Sequence, residues 1–233
     1  MTECPKIIVA LDYSDLNTAE NFIGKLSPDM CCLKVGKSMF TRFGPQFVRS
    51  LVDRGFFVFL DLKFHDIPNT VADACFAAAE LGVWMLNVHV MGGLSMLQAA
   101  RHAIDQVPKA ERPLLIGVTV LTSLEAADLQ SLGIEGDLPD VVVRYADMAK
   151  QAGLDGVVCS AKEAPFLRQK LGKDFLLVTP GIRMANDHLS DQKRVVTPEV
   201  AIALGADYLV MGRSITQGKD PLSILRSIRS DIF

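Results

Sequence analysis

The sequence predicts an α/β protein of one fold unit, a single (β/α)8 TIM barrel acting as one catalytic domain over residues 1–233. Two observations lead there. Eight short apolar runs alternate strictly with longer segments whose apolar residues recur at helical spacing. The repeat averages about 29 residues, a minimal strand–helix crossover, and no Ser-, Pro- or Gly-rich linker divides the chain.

The runs, each read as a strand buried on both faces, are Ile7–Leu11, Met30–Val35, Phe56–Leu62, Trp84–Val90, Leu114–Leu121, Gly156–Cys159, Phe175–Val178 and Tyr208–Met211. Between them, sets such as Phe47, Leu51 and Val52, or Leu94, Leu97 and Ala100, or Ile224, Leu225 and Ile228, mark amphipathic helices. Pro45 and Pro198 stand near helix starts, and Gly55, Gly82, Gly153, Gly172 and Gly205 just past helix ends. An open doubly wound sheet is the competing architecture, but it usually opens on a glycine-rich first turn. Here that turn is Asp12-Tyr13-Ser14-Asp15. Gly36-Lys37-Ser38 fails as a phosphate loop because Cys31 stands where the motif requires glycine.

Composition narrows the function classes. The mean hydropathy of +0.26 is high, yet no apolar run approaches the ~20 residues of a membrane helix, so the apolar content is expected in a core. The first run stops at Asp12, too short for a signal-peptide core, and the odd set of five cysteines holds no CxxC pair. A cytoplasmic, reducing setting is expected, with no membrane partner. A net charge of -3 without a Lys/Arg block leaves no footprint for nucleic acid.

In a parallel barrel the reactive face lies at the C-terminal strand ends. Those positions carry Asp12, Lys34, Asp61 with Lys63, His89, Thr119 with Thr122, Ser160, Thr179 and Arg213. The densest element is Phe59-Leu-Asp-Leu-Lys-Phe-His-Asp-Ile-Pro-Asn-Thr70. Asp61 and Lys63 are two apart, so on a regular strand both face the barrel mouth, with Asp66 following on the turn. Two carboxylates around one ammonium favour its charged form, which makes Lys63 a proton donor and opposes a Schiff-base role. Gly181-Ile-Arg183 and Gly212-Arg213 end runs seven and eight, where barrels often bind phosphate through backbone amides and forked arginine donors. The long polar stretch between Arg183 and Val196 reads as a lid, with Gln192 its best ligand candidate. The four histidines lack metal-ligand spacing, so no metal is expected; Cys31, Cys32, Met91 and Met96 are assigned to packing.

Ile8-Val-Ala-Leu-Asp12, Leu33-Lys-Val-Gly36, the 59–70 element, Val118-Thr-Val-Leu-Thr-Ser123, Val178-Thr-Pro-Gly-Ile-Arg183 and Val210-Met-Gly-Arg213 together resemble the bacterial orotidine 5'-phosphate decarboxylases. The resemblance runs from the first run to the last. It implies decarboxylation of orotidine 5'-monophosphate to UMP, the last step of de novo pyrimidine synthesis, by a homodimer with a shared active site and no cofactor or metal. Carried over by motif, Lys63 would protonate C6 and Asp61 would lie beside the departing carboxylate. Asp66, Ile67 and Thr70 would reach in from the partner subunit. Asp12 and Lys34 would hold the ribose hydroxyls, with Lys34 also in the catalytic charge network, and Thr122 would bond the pyrimidine edge. Pro180, Arg183, Gln192, Gly212 and Arg213 would complete the substrate site, the last four at the phosphate. One departure is visible: Val90 and Met91 precede Gly92-Gly93 where small residues are usual. The nearest alternative is a magnesium-dependent sugar-phosphate decarboxylase or aldolase sharing DxKxxD, in which a glutamate for the metal takes the place of Lys34. A catalytically silent barrel that binds nucleotides or a protein partner is opposed by the intact Asp61, Lys63 and Asp66.

Overall fold

The computed structural model describes residues 4–184 and 196–232. Eight strands, β1 Ile7–Leu11, β2 Cys32–Gly36, β3 Val58–Phe64, β4 Met85–His89, β5 Leu114–Val118, β6 Gly156–Val158, β7 Leu176–Pro180 and β8 Tyr208–Met211, pair in sequence order. Every pairing is parallel, and β8 returns to β1 with Ile7 opposite Leu209, closing the barrel. Around it run α1 Leu16–Ile23, α2 Lys37–Asp53, α3 Pro68–Ala79, α4 Leu94–Asp105, α5 Ala126–Ser131 and α6 Leu138–Gln151. They are followed by α7 Ala164–Leu171, α8 Pro198–Ala203, α9 Arg213–Thr216 and α10 Pro221–Ile232. No helix among the described residues is long and apolar enough to cross a membrane.

The runs are continuous rather than alternating because both strand faces are dry. Ile8, Phe59, Met85, Ile116, Val178 and Val210 form one buried cluster inside the barrel. Their neighbours, including Val9, Leu60, Leu86, Leu115 and Leu209, pack outward in a second cluster with the helix belt. Local signals place the helices. Asp15 caps α1, its Oδ1 accepting the Thr18 backbone N–H at 2.8 Å. Pro45 does open a helical segment, but a first segment from Lys37 precedes it, and the two meet at Gly44 with φ 71°.

Strand ends depart from the apolar runs. The fifth stops at Val118 rather than Leu121, because Val120 and Leu121 line the cavity at the mouth instead of joining the sheet. The fourth stops at His89, and Val90–Gly92 form a 3-10 turn. Val90 is buried against β5, where a Cβ on Gly117 would lie 2.8 Å from its Cγ2. Met91, expected in the core, is 43% exposed, since the turn aims it outward once Val90 takes the inward place. Met96, Cys31 and Cys32 are buried as expected.

The N-terminal face of the barrel is closed by side chains that tie strands together. Asp155, just before β6, donates its N–H to the Leu115 carbonyl and accepts the Leu115 N–H on Oδ2 at 2.7 Å, with Arg101 on the same oxygen at 3.1 Å. Asp207, before β8, treats Leu177 the same way at 2.7 Å, with Arg168 at 2.6 Å. Arg168 also donates to the carbonyls of Gly172, Lys173, Phe175 and Gly205. At the same face, Phe57, Trp84 and Tyr208 pack edge to face, from the starts of β3, β4 and β8. Barrel residues at this face serve stability rather than chemistry.

Between β6 and β7 the backbones pass so closely that a Cβ on Gly156 would lie 2.3 Å from the Leu176 carbonyl oxygen. Gly156→Ala is therefore expected to lower unfolding stability by about 1–3 kcal/mol, the usual cost of overpacking. Urea titration checks this, and stability within about 0.5 kcal/mol of the parent would show that the strands separate freely.

Candidate active site

Lys34 on β2, Asp61 and Lys63 on β3, and Asn87 on β4 converge at the C-terminal mouth. Asp61 is 9% exposed. Its Oδ2 lies 3.0 Å from the Lys34 Nζ, and its Oδ1 accepts from the Lys63 Nζ at 2.6 Å and the Asn87 Nδ2 at 2.7 Å. Burial alone pushes this carboxyl up; Lys34, Lys63 and the hydrogen bonds from Lys63 and Asn87 outweigh it and hold the group well below the usual carboxylate range. Sequence spacing predicts two carboxylates around one ammonium. Within one chain the stoichiometry is the reverse, one carboxylate between two ammoniums, because Asp66 lies elsewhere.

Lys63 reaches Asp61 by an unexpected route. Regular alternation would carry both side chains to one face, but the β3–β4 register slips between Leu60 and Phe64. Lys63 has φ 51°, the only positive value at a non-glycine among the described residues. Such a conformation costs about 1–3 kcal/mol and persists where surrounding contacts impose it. Asn87 accepts the Lys63 backbone N–H on Oδ1 at 2.8 Å. Asn87 is fully buried and uncharged, so it does not stand out among strand-end residues; its one signal in the sequence is a lone amide inside the apolar run Trp84–Val90, which must find partners once buried.

A cavity of about 810 Å³ opens above this array. Asp12, Lys34, Asp61 and Lys63 line one side, Thr122 another, and Pro180, Arg183, Gly212 and Arg213 the phosphate-type loops after β7 and β8. Tyr13, Thr216 and Gln217, which no sequence motif singles out, also line it, with the Tyr13 hydroxyl 3.5 Å from the Thr216 carbonyl. Tyr13 follows Asp12, and Thr216 and Gln217 end the short helix α9 that Arg213 begins. Thr119, Ser160 and Thr179, counted among the strand-end residues, are buried and do not line the cavity. Ser160 donates its N–H to the buried Glu163, and the Thr119 hydroxyl donates to the Val158 carbonyl.

Asp66, Ile67 and Thr70 are exposed and lie outside their own chain's cavity. Asp66 turns back on itself, accepting the Ile67 N–H at 2.6 Å, and opens the way into α3. Gln192 and the remainder of 185–195, His188 included, fall outside the described residues. Among the described residues, no three of His, Cys, Asp and Glu group so as to hold a metal ion.

The fold and this site define a (β/α)8-barrel enzyme that meets an anionic substrate with a lysine–aspartate–lysine array. The chain belongs to the orotidine 5'-phosphate decarboxylase / HUMPS family, which residues 5–228 match. It is 60% identical over 228 residues to the orotidine 5'-phosphate decarboxylase of Vibrio cholerae, covering 98% of each protein. To that of Coxiella burnetii it is 55% identical, covering 98% of this chain and 97% of the relative. The crystal structure of orotidine 5'-phosphate decarboxylase from Lactobacillus acidophilus superimposes with a TM-score of 0.88 at 35% identity, covering 99% of both chains.

Beside the array, the ring of His89 packs against that of His65 with centroids 5.6 Å apart. Burial, then His65, Lys37 and Lys63, lower its pKa from 6.5 to about 4. The unfolded chain therefore takes up a proton that the folded chain refuses, so stability falls as pH drops below 6.5 and this loss levels off below about 4. His89→Gln should flatten the decline across that window, as read by urea titrations at a series of pH values. An unchanged slope would show that His89 titrates normally in the folded protein.

Proposed function

We propose that the chain decarboxylates orotidine 5'-monophosphate to UMP and carbon dioxide without a cofactor, Lys63 delivering the proton to C6. The observation that carries the reading is the Lys34–Asp61–Lys63 array at the barrel mouth. When the bond from C6 to the carboxylate breaks, its electron pair stays on C6, carbon dioxide leaves, and an N–H of the Lys63 ammonium supplies the proton. The resulting amine regains a proton from solvent. A carbanion at C6 has no cofactor to delocalise it, so a fixed cation where the charge develops is the main source of stabilisation. Asp61 holds that cation in place and lies beside the departing carboxylate.

Asp12 and Lys34 hold the ribose hydroxyls, Thr122 the pyrimidine edge, and Arg183, Gln192, Gly212 and Arg213 the phosphate, with Pro180 packed alongside. Lys34 supports this reading over the magnesium-dependent alternative, because its ammonium 3.0 Å from Asp61 occupies that carboxylate with a cation of the protein's own. Residues 1–233 act as one catalytic domain, a reading that the β1–β8 pairing supports. The five unbridged thiols support a cytoplasmic setting.

The working form is a homodimer in which Asp66, Ile67 and Thr70 complete the partner's cavity. The reading is supported by their position outside their own, and by a surface where Ile67 is 67%, Phe76 39% and Met91 43% exposed.

Lys63→Ala is expected to abolish turnover of orotidine 5'-monophosphate while UMP still binds, because product contacts rest on Thr122 and the phosphate residues. Absorbance assays and calorimetry check this; near-normal kcat would move the donor role to Lys34. Mixing Lys63→Ala with Asp66→Ala subunits by joint unfolding and refolding should restore substantial activity, since one site of each mixed dimer regains both residues. No recovery despite confirmed heterodimers would assign Asp66 to its own chain.

A further inference from the structure

We infer that Asn87 is a positioning residue for the proton donor: its buried amide holds the Lys63 backbone in the left-handed conformation and so fixes where the ammonium stands against Asp61. The inference rests on Lys63 as that donor.

Between matched pairs Leu60↔Leu86 and Phe64↔Val88, β3 advances four residues while β4 advances two. Lys63 falls in this excess, where the ladder offers its N–H no regular place. Asn87 is the β4 residue between the two matched positions, and its side chain supplies the acceptor at 2.8 Å. The other end of the same amide donates to Asp61 at 2.7 Å. The orientation of the amide is fixed by chemistry: a backbone N–H can only donate and an ionised carboxylate can only accept, so Oδ1 must face Lys63 and Nδ2 must face Asp61. One rigid planar group thus sets both the backbone from which the ammonium springs and the carboxylate that receives it. An amide combines a donor and an acceptor at that reach without charge at any pH, whereas an aspartate there would do so only when protonated.

The test compares Asn87→Ala and the isosteric Asn87→Asp with the parent, with Lys63→Ala run beside them. Each is measured for kcat, KM and the number and affinity of UMP sites by calorimetry. Asn87→Ala should lose kcat by about 100-fold, the scale of an ångström-level misplacement, with KM and UMP affinity within about threefold and all sites intact. In Asn87→Asp the new carboxylate faces Asp61, with Lys34 and Lys63 beyond it, and His89, which has His65 and Lys37 near it, follows two residues on at the end of β4. Two carboxylates so placed share a proton, and the protonated form again donates to Asp61 while accepting from Lys63. Its kcat relative to the parent should therefore rise as pH is lowered from about 8 to about 5. A kcat for Asn87→Ala within about threefold of the parent, a loss matched by missing UMP sites, or a ratio flat with pH would overturn the inference. If Lys63→Ala also keeps its turnover, the donor assignment fails instead; if Lys63→Ala is inactive, the failure belongs to Asn87 alone.

Discussion

The Asp61 carboxylate, taken out of water and held between two ammoniums, is the constraint around which the mouth of the barrel is arranged. Each of these charges loses hydration worth several kcal/mol, and only close pairing with further hydrogen bonds returns it. Lys34, Lys63 and Asn87 together supply that pairing, and they come from three adjacent strands. Within one chain these three groups carry one positive charge more than the Asp61 carboxylate balances. Arg183 and Arg213 across the opening add the same sign where a phosphate would stand.

The two faces of the barrel divide the work. At the mouth the backbone departs from ideal geometry, with Lys63 left-handed and β3 out of step with β4. At the opposite face arginines and aspartates bind backbone groups, and aromatic rings pack edge to face. Strain is tolerable at one end because the other is densely bonded.

Most of this was legible in the sequence because a barrel strand buried on both faces leaves an unbroken apolar run, and because charged residues rarely end such a run without purpose. What escaped detection did so for physical reasons. Val120 and Leu121 are apolar, yet they serve the cavity and not the sheet, and composition cannot separate those uses. The two-residue spacing of Asp61 and Lys63 predicts a regular pleat, whereas Lys63 stands left-handed where β3 slips against β4, an irregularity that only the pairing of two strands can create. Asn87 carries no charge and sits among apolar neighbours, so its importance appears only with its partners. Asp66, Ile67 and Thr70 stood out in the motif, but the direction of their turn was not encoded in spacing.

β6 is the shortest of the eight strands, three residues, too few to set its own alignment by length. Its alignment comes from Asp155, which closes a two-point ring with Leu115 just below the strand. A slip by one step would break that ring and turn Val158 away from the cavity floor it now forms. Asp207 gauges β8 against β7 in the same manner, below Gly212 and Arg213. These carboxylates work as set-screws: the aim of the mouth is calibrated from the far end of the barrel, by residues that never approach the substrate.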